Sequence, residues 1–135
     1  MEVKQTFGTE TSITITALAS LANAATATSD EISNATNLYD EIILQIKVGG
    51  TAATTAWLDV RIYASVDGGT TWSAWTTPLH VLPAIDMSVD NPVYHARFVP
   101  PQRWKVAVKN NTGASLDAAG STIGASYQGI TYTGV

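Results

Sequence analysis

The chain has no cysteine and only two histidines among 135 residues, so neither a disulfide framework nor a thiolate metal site can be built from it. Charge is equally sparse. Lysine, arginine, aspartate and glutamate make up 13% of the residues, the net charge is −4, and the seven basic residues are scattered along the chain. Nucleic-acid binders displace counterions with clustered Lys and Arg, so a nucleic-acid partner is not expected. One local basic set, Arg103, Lys105 and Lys109, would share a face of a strand, and an ordinary solvated face accounts for it. No window approaches the roughly 18 to 20 apolar residues that a membrane-spanning helix requires, and the opening MEVKQTFGTETSITIT has no basic leader ahead of an apolar core. A membrane partner is not expected either, and a soluble chain is.

Hydrophobic residues supply 45% of the chain, with the remainder mostly Thr, Ser, Gly and Asn. A length of 135 residues suits one domain, residues 1–135, which needs no covalent staple to bury a core. Alternation with a period of two dominates. In YDEIILQIKV the residues Ile42, Leu44, Ile46 and Val48 fall on one face, and Glu41, Gln45 and Lys47 on the other. After the loop GGTAATTA the pattern returns from Trp57, with Leu58, Val60, Ile62, Ala64 and Val66 opposed to Asp59, Arg61, Tyr63 and Ser65.

VYHARFV reads as a strand ended by Pro100 and Pro101, which have no backbone donor for a ladder. RWKVAVKNNTG sets Trp104, Val106 and Val108 inward and closes in a polar turn. STIGASYQGITYT offers one or two further strands, TSITITA a short one, and SLANAATATSDEIS either strand or loop. Residues 17–27 are Ala-rich, but their Thr and Ser content favours a strand at least as much as a helix. About seven to nine strands separated by turn signals predict an all-β fold, an antiparallel β-sandwich of jelly-roll type. Residues 1–10 and 129–135 are expected to be extended arms held by other chains.

The stretch SVDGGTTW fits the spacing Ser-x-Asp-x-Gly-x-Thr-Trp and predicts a structural turn through Ser65, Asp67, Gly68, Gly69, Thr71 and Trp72. Asp67 would accept hydrogen bonds from turn donors, and the two glycines would take positive φ. Thr71 and Trp72 would restart the next strand, with the Trp72 ring covering the turn. This spacing resembles the Asp-box, a hairpin motif of sialidases that recurs once per propeller blade and lies away from the catalytic residues. Two further partial copies are broken: SVDNPVY has Pro92 at the glycine position, and SLDAAGST, from Ser115, displaces its glycine and lacks tryptophan. A chain of 135 residues has room for at most two or three four-stranded blades, so a propeller is excluded.

Other catalytic chemistry finds no scaffold. His80 and His95 lie in different segments, with no serine on a strand-to-helix elbow. Asp86, Asp90 and Asn91 make AIDMSVDNP oxygen-rich, but without regular ligand spacing they read as a polar loop. No catalytic residue, cofactor or metal site is therefore assigned.

RIYASVDGGTTWSAW and RFVPPQRWKVAVKNNTGASL, within a Thr/Ala/Gly-rich chain, resemble small β-sandwich virion proteins of tailed bacteriophages. Head decoration or cement proteins and tail-associated modules are among them, and the resemblance spans residues 39 to 133. It implies a non-enzymatic component of a virion assembled in the bacterial cytoplasm. Such a component would be a homo-oligomer that stabilises a shell through contacts with the major capsid protein or other virion proteins. A competing reading is a carbohydrate-binding module. Trp57, Tyr63 and Trp75, with Trp72, would form either an aromatic platform for a glycan or the surface that meets a protein neighbour.

The absence of a supported pair of carboxylates at a common site predicts that the protein is not a glycosidase. Incubation with aryl glycosides, sialosides included, should release no chromophore above the uncatalysed background.

Overall fold

The computed structural model describes residues 2–49, 57–88, 90–116 and 124–134. The sequence readings for the loop at 50–56, for the first half of STIGASY and for the ends at Met1 and Val135 lie outside the described residues. Ten strands form two antiparallel sheets packed face to face, with no helix among the described residues. They are β1 (Val3–Phe7), β2 (Thr11–Ile13), β3 (Thr26–Thr28), β4 (Ile32–Ser33), β5 (Glu41–Lys47), β6 (Trp57–Ser65), β7 (His80–Asp86), β8 (Val93–Phe98), β9 (Arg103–Asn110) and β10 (Gly124–Gly134).

One sheet has the order β1-β10-β5-β8, with β2 also on β10; the other has the order β3-β9-β6-β7, with β4 also on β9. The pairings nest. β6 pairs with β7, β5 with β8, β3 and β4 with β9, and β1 and β2 with β10. This is one long antiparallel hairpin whose tip is the β6–β7 connection. It is rolled up so that β9 also meets β6 and β10 also meets β5. Rolling a hairpin this way gives the jelly roll.

The alternation read from the sequence becomes the core. Ile42, Leu44 and Ile46 of β5 and Leu58, Val60 and Ile62 of β6 are at most 1% exposed. Trp104 on β9 is fully buried and reaches across to the other sheet. Its ring meets Phe98 of β8 at 5.0 Å and Tyr127 of β10 at 5.4 Å between centroids, both edge to face at 78°. Such pairs add roughly 0.5–1.5 kcal/mol each beyond the area they bury.

β7 departs from strict alternation. Its pairing with β6 shifts between Leu58 and Val60, so Pro83 and Ala84 together stand opposite Asp59. The bulge lets both Leu82 and Ile85 face the core, and an edge strand with a bulge is where a proline is tolerated. Tyr94 on β8 donates its hydroxyl to the Pro83 carbonyl at 2.6 Å, tying the two edge strands together. Burial raises the Tyr94 phenol to a pKa of about 12.

The Ala-rich stretch before β3 is a series of turns, and β3 and β4 are two short strands laid along β9. Ala27 and Ile32 supply apolar contact, and between them Ser29 stays on β9 through its side chain: its N–H donates to the Val106 carbonyl at 2.8 Å and its Oγ accepts from the Val106 N–H at 2.9 Å, while the Asp30 N–H turns to the Thr14 carbonyl at 3.0 Å. Residues 124–134 form one continuous strand. Gly129 lies beneath the Tyr39 ring, where a Cβ would collide with it, so the glycine there is required by close approach.

Asn110, fully buried at the end of β9, holds two loops. Its Nδ2 donates to the Leu21 carbonyl at 2.9 Å and the Ala114 carbonyl at 2.7 Å, while its Oδ1 accepts from the Thr112 N–H at 2.9 Å. Asn110→Ala should cost about 1–3 kcal/mol by stranding these groups, a loss to be measured by urea unfolding.

Candidate functional site

The β6–β7 connection spans residues 66–79 and contains two successive turns. In the first, Asp67 Oδ1 accepts from the Ser65 hydroxyl at 2.9 Å, the Thr70 N–H at 3.1 Å and the Thr71 N–H at 2.8 Å. Ser65 Oγ, itself nearly fully buried, accepts from the Gly69 N–H at 2.9 Å. Gly68 and Gly69 have φ of 77° and 93°, in the region that favours glycine. Trp72 closes the turn by donating its indole N–H to the Gly69 carbonyl at 3.0 Å. The Asp67 carboxyl is exposed, yet it is held down at a pKa of about 2. The Thr71 hydroxyl and N–H contribute most, followed by the Ser65 hydroxyl.

The strand expected to restart at Thr71 and Trp72 begins only at His80. Instead, Ser73 takes the place of a strand residue beside Ala64: its N–H donates to the Ala64 carbonyl at 3.1 Å, and its Oγ accepts from the Ala64 N–H at 3.0 Å. Regular pairing resumes where the Leu79 N–H meets the Ile62 carbonyl. Between these anchors the chain makes its second turn, closed by the Thr77 N–H on the Ala74 carbonyl at 3.0 Å with Trp75 at its tip.

That excursion puts Trp72 and Trp75 over the outer face of the β9–β6 sheet. The basic set predicted to share a face does so, since Arg103, Lys105 and Lys109 point away from the core, and Arg61 joins them from β6. Four of the seven basic residues therefore stand on one side of a chain with a net charge of −4. The tryptophans sit on these cations. Lys105 Nζ lies 4.3 Å from the Trp72 ring centroid, the Arg61 guanidinium 4.2 Å from that of Trp75, and Lys109 Nζ 5.8 Å from the same ring.

Arg61 also donates to the Trp75 carbonyl, and Arg103 pairs with Glu31 of the β3–β4 connection, whose carboxylate abuts Gly69. Each cation–π contact at such a site contributes about 0.5–1 kcal/mol. Ala107 is in register with Arg61 and faces outward, yet it is fully buried, so the outer face is covered at its centre.

Of the three residues expected to form an interaction surface, two have become part of this cover. Tyr63 is half-buried beside Lys105, its phenol pKa raised by burial against the opposing effect of Arg61. Trp75 is half-buried on Arg61, and Trp57 alone remains 50% exposed, at the start of β6. Trp72 and Trp75 each rest one ring face on the chain's own cations. The contribution of Arg61 was not foreseen, although its position four residues before Ser65 placed it on the outward phase of β6.

Elsewhere, His80 Nε2 meets the Val99 carbonyl at 2.9 Å, and His95 Nε2 meets Gln45 Oε1 at 2.9 Å. Asp86 Oδ1 accepts from the Ser88 N–H. Among the described residues no group of three His, Asp or Glu is placed to hold a metal ion. No protein-family model matches the chain, and no curated protein sequence matches it.

Ser65→Ala should lower stability by about 1–3 kcal/mol, because it strands the Gly69 N–H and removes a donor to Asp67. The depressed Asp67 pKa makes its contribution full above the unfolded-state value of about 3.9, and that contribution fades as pH falls towards the folded value of about 2. In thermal melts, the gap between wild type and Asp67→Asn should therefore shrink on acidification from about pH 5 to about pH 2.

Proposed function

We propose that this protein is a non-catalytic structural component of a tailed-bacteriophage particle, present in several copies and acting by protein–protein contact. Head decoration is the first role and tail association the second. The observation that carries this reading is the ribbon made by β1 and the last residues of β10. All five residues of β1 are exposed although its backbone is paired, from Val3 opposite Gly134 to Phe7 opposite Ile130. The arms hold each other within one chain, so their backbone needs no neighbour on that side. Apart from Ile130, which is fully buried opposite Phe7, the side chains of β1 and of residues 131–133 bury little in their own domain.

Val3, Phe7 and Tyr132 lie on one face of this ribbon and are 65%, 50% and 41% exposed. Nearby Leu38 is 69% exposed and adopts a φ of 52°, a strained conformation for leucine. Tyr132 is fixed in place by donating its hydroxyl to Glu41 at 2.6 Å, while its N–H meets Asp40 at 2.7 Å. Low surface charge supports docking of this end against a protein neighbour at small desolvation cost. The resemblance to virion β-sandwich proteins supports the identity of the neighbour, with the major capsid protein as the first candidate. A glycan platform of open tryptophans has less support, since Trp72 and Trp75 already stack on Lys105 and Arg61.

The test removes residues 1–7. The shortened chain should melt within about 5 °C of the full chain, since the side chains of residues 2–7 are all exposed, and should co-sediment less with purified phage particles. A full-length chain that never co-sediments with particles would refute the proposal.

A further inference from the structure

The outer face of the other sheet holds a concavity that no part of the particle reading uses. It has about 400 Å³ of space open to solvent and is lined by Glu10, Ile43, Gln45, His95, Ser126 and Gln128. The sheet register explains the grouping. Ser126, Gln45 and His95 are aligned across β10, β5 and β8, and Gln128 and Ile43 are aligned in the row beside them. Neighbouring strands are about 4.8 Å apart, so these side chains form a grid on a floor fixed by the backbone.

Two of the amides are oriented by the fold. An amide oxygen can only accept, so His95 Nε2–H donates to Gln45 Oε1 at 2.9 Å. The Gln45 NH2 group is thereby left as a donor, and Nδ1 is the His95 ring nitrogen that this bond does not use. Gln128 Nε2 donates to the Gly8 carbonyl at 2.9 Å, which leaves its Oε1 as an acceptor. Ser126 is 8% exposed, and among the described residues its hydroxyl takes no hydrogen-bond partner. Glu10 adds a carboxylate at the rim, and Ile43 is the apolar patch between the polar groups.

We infer that this concavity is a binding site for a single neutral sugar ring of the hexopyranoside class. A sugar hydroxyl both donates and accepts, which matches a wall that sets a fixed donor at Gln45 against acceptors at Gln128 and Glu10. The C–H face of the ring would lie on Ile43. An anion would meet the Glu10 carboxylate, and the cation beside Ile43 in the same row, Arg97, is paired with Glu41 at 4.0 Å. A cation would face the outward Gln45 amide hydrogens. Orientation of the amides before binding removes part of the ordering cost that a weak polar site otherwise carries. The inference does not rest on the particle reading, and the site is on the opposite sheet from Trp57, Trp72 and Trp75.

The experiment is a titration of the isotope-labelled full chain with methyl gluco-, galacto- and mannopyranosides, followed by amide resonances. Butylammonium and inorganic phosphate serve as charged probes. At least one hexoside should saturate with a Kd of about 1–10 mM, with shifts confined to residues 10, 43–45, 95 and 126–128. Gln45→Ala and the exposed-site variant Glu10→Gln should each weaken binding about tenfold while Trp57→Ala leaves it unchanged. Melting curves identify any variant that has lost its fold, and Glu10→Gln then stands as the deciding one. The inference is overturned if no hexoside saturates by about 50 mM, a tenth of the strength that would matter even for clustered copies. It is equally overturned if butylammonium or phosphate binds here in preference, or if the shifts centre on Trp57, Trp72 and Trp75.

Discussion

The register of β6 on β9 is the constraint from which most of this structure follows. Eight consecutive positions pair, from Leu58 with Asn110 to Ser65 with Arg103. That register sends Leu58, Val60, Ile62, Trp104, Val106 and Val108 into the sandwich, and sends Arg61, Tyr63, Lys105 and Lys109 to the outside. A slip of β6 by one residue on β9 would turn Leu58, Val60 and Ile62 to the outside and send Asp59, Arg61 and Tyr63 into the sandwich. The desolvation cost of that exchange far exceeds anything a turn could contribute, so the core pattern sets the register and the turns conform to it.

The Asp67 turn then has a defined place in the fold. It is the tip of the hairpin that the jelly roll rolls up, and it starts at Ser65, where the β6–β9 register ends. Glu31, from the segment between β3 and β4, contacts both the turn at Gly69 and Arg103 of β9, so the tip is joined to the far edge of its own sheet. The Asp67 turn therefore performs a structural task here on a β-sandwich. The same connection carries Trp72 and Trp75 onto the basic face, where the cations that might have met a solvent anion are instead stacked under indole rings.

The two sheets use their outer faces differently. One is covered by its own loop and its charges are largely paired with rings or with Glu31. The other stays open, with polar side chains held in fixed orientations around Ile43, and ends in a ribbon whose side chains face outward. The domain therefore has one self-covered face, one open polar face and a ribbon that exposes Val3, Phe7 and Tyr132 on one side.

By itself the sequence determined the fold class, because period-two alternation in 41–48, 57–66 and 103–110 admits only half-buried strands. It also determined the turn at Ser65–Trp72, because paired glycines after a short acceptor side chain leave the backbone few other conformations. β3 and β4 were ambiguous at three and two residues long, since such segments carry no period and become strands only by pairing with β9. The bulge at Pro83 was hidden for a similar reason: the choice of Leu82 and Ile85 as inward residues is made by β6, the partner strand. The fate of the aromatic residues lay furthest from the sequence. Trp57, Tyr63 and Trp75 look alike as exposed-phase rings, and only the path of residues 73–79 decided that Trp75 would lie on Arg61 while Trp57 stayed open. Contacts between a loop and a sheet face depend on where the chain returns in space, and local periodicity does not encode that return.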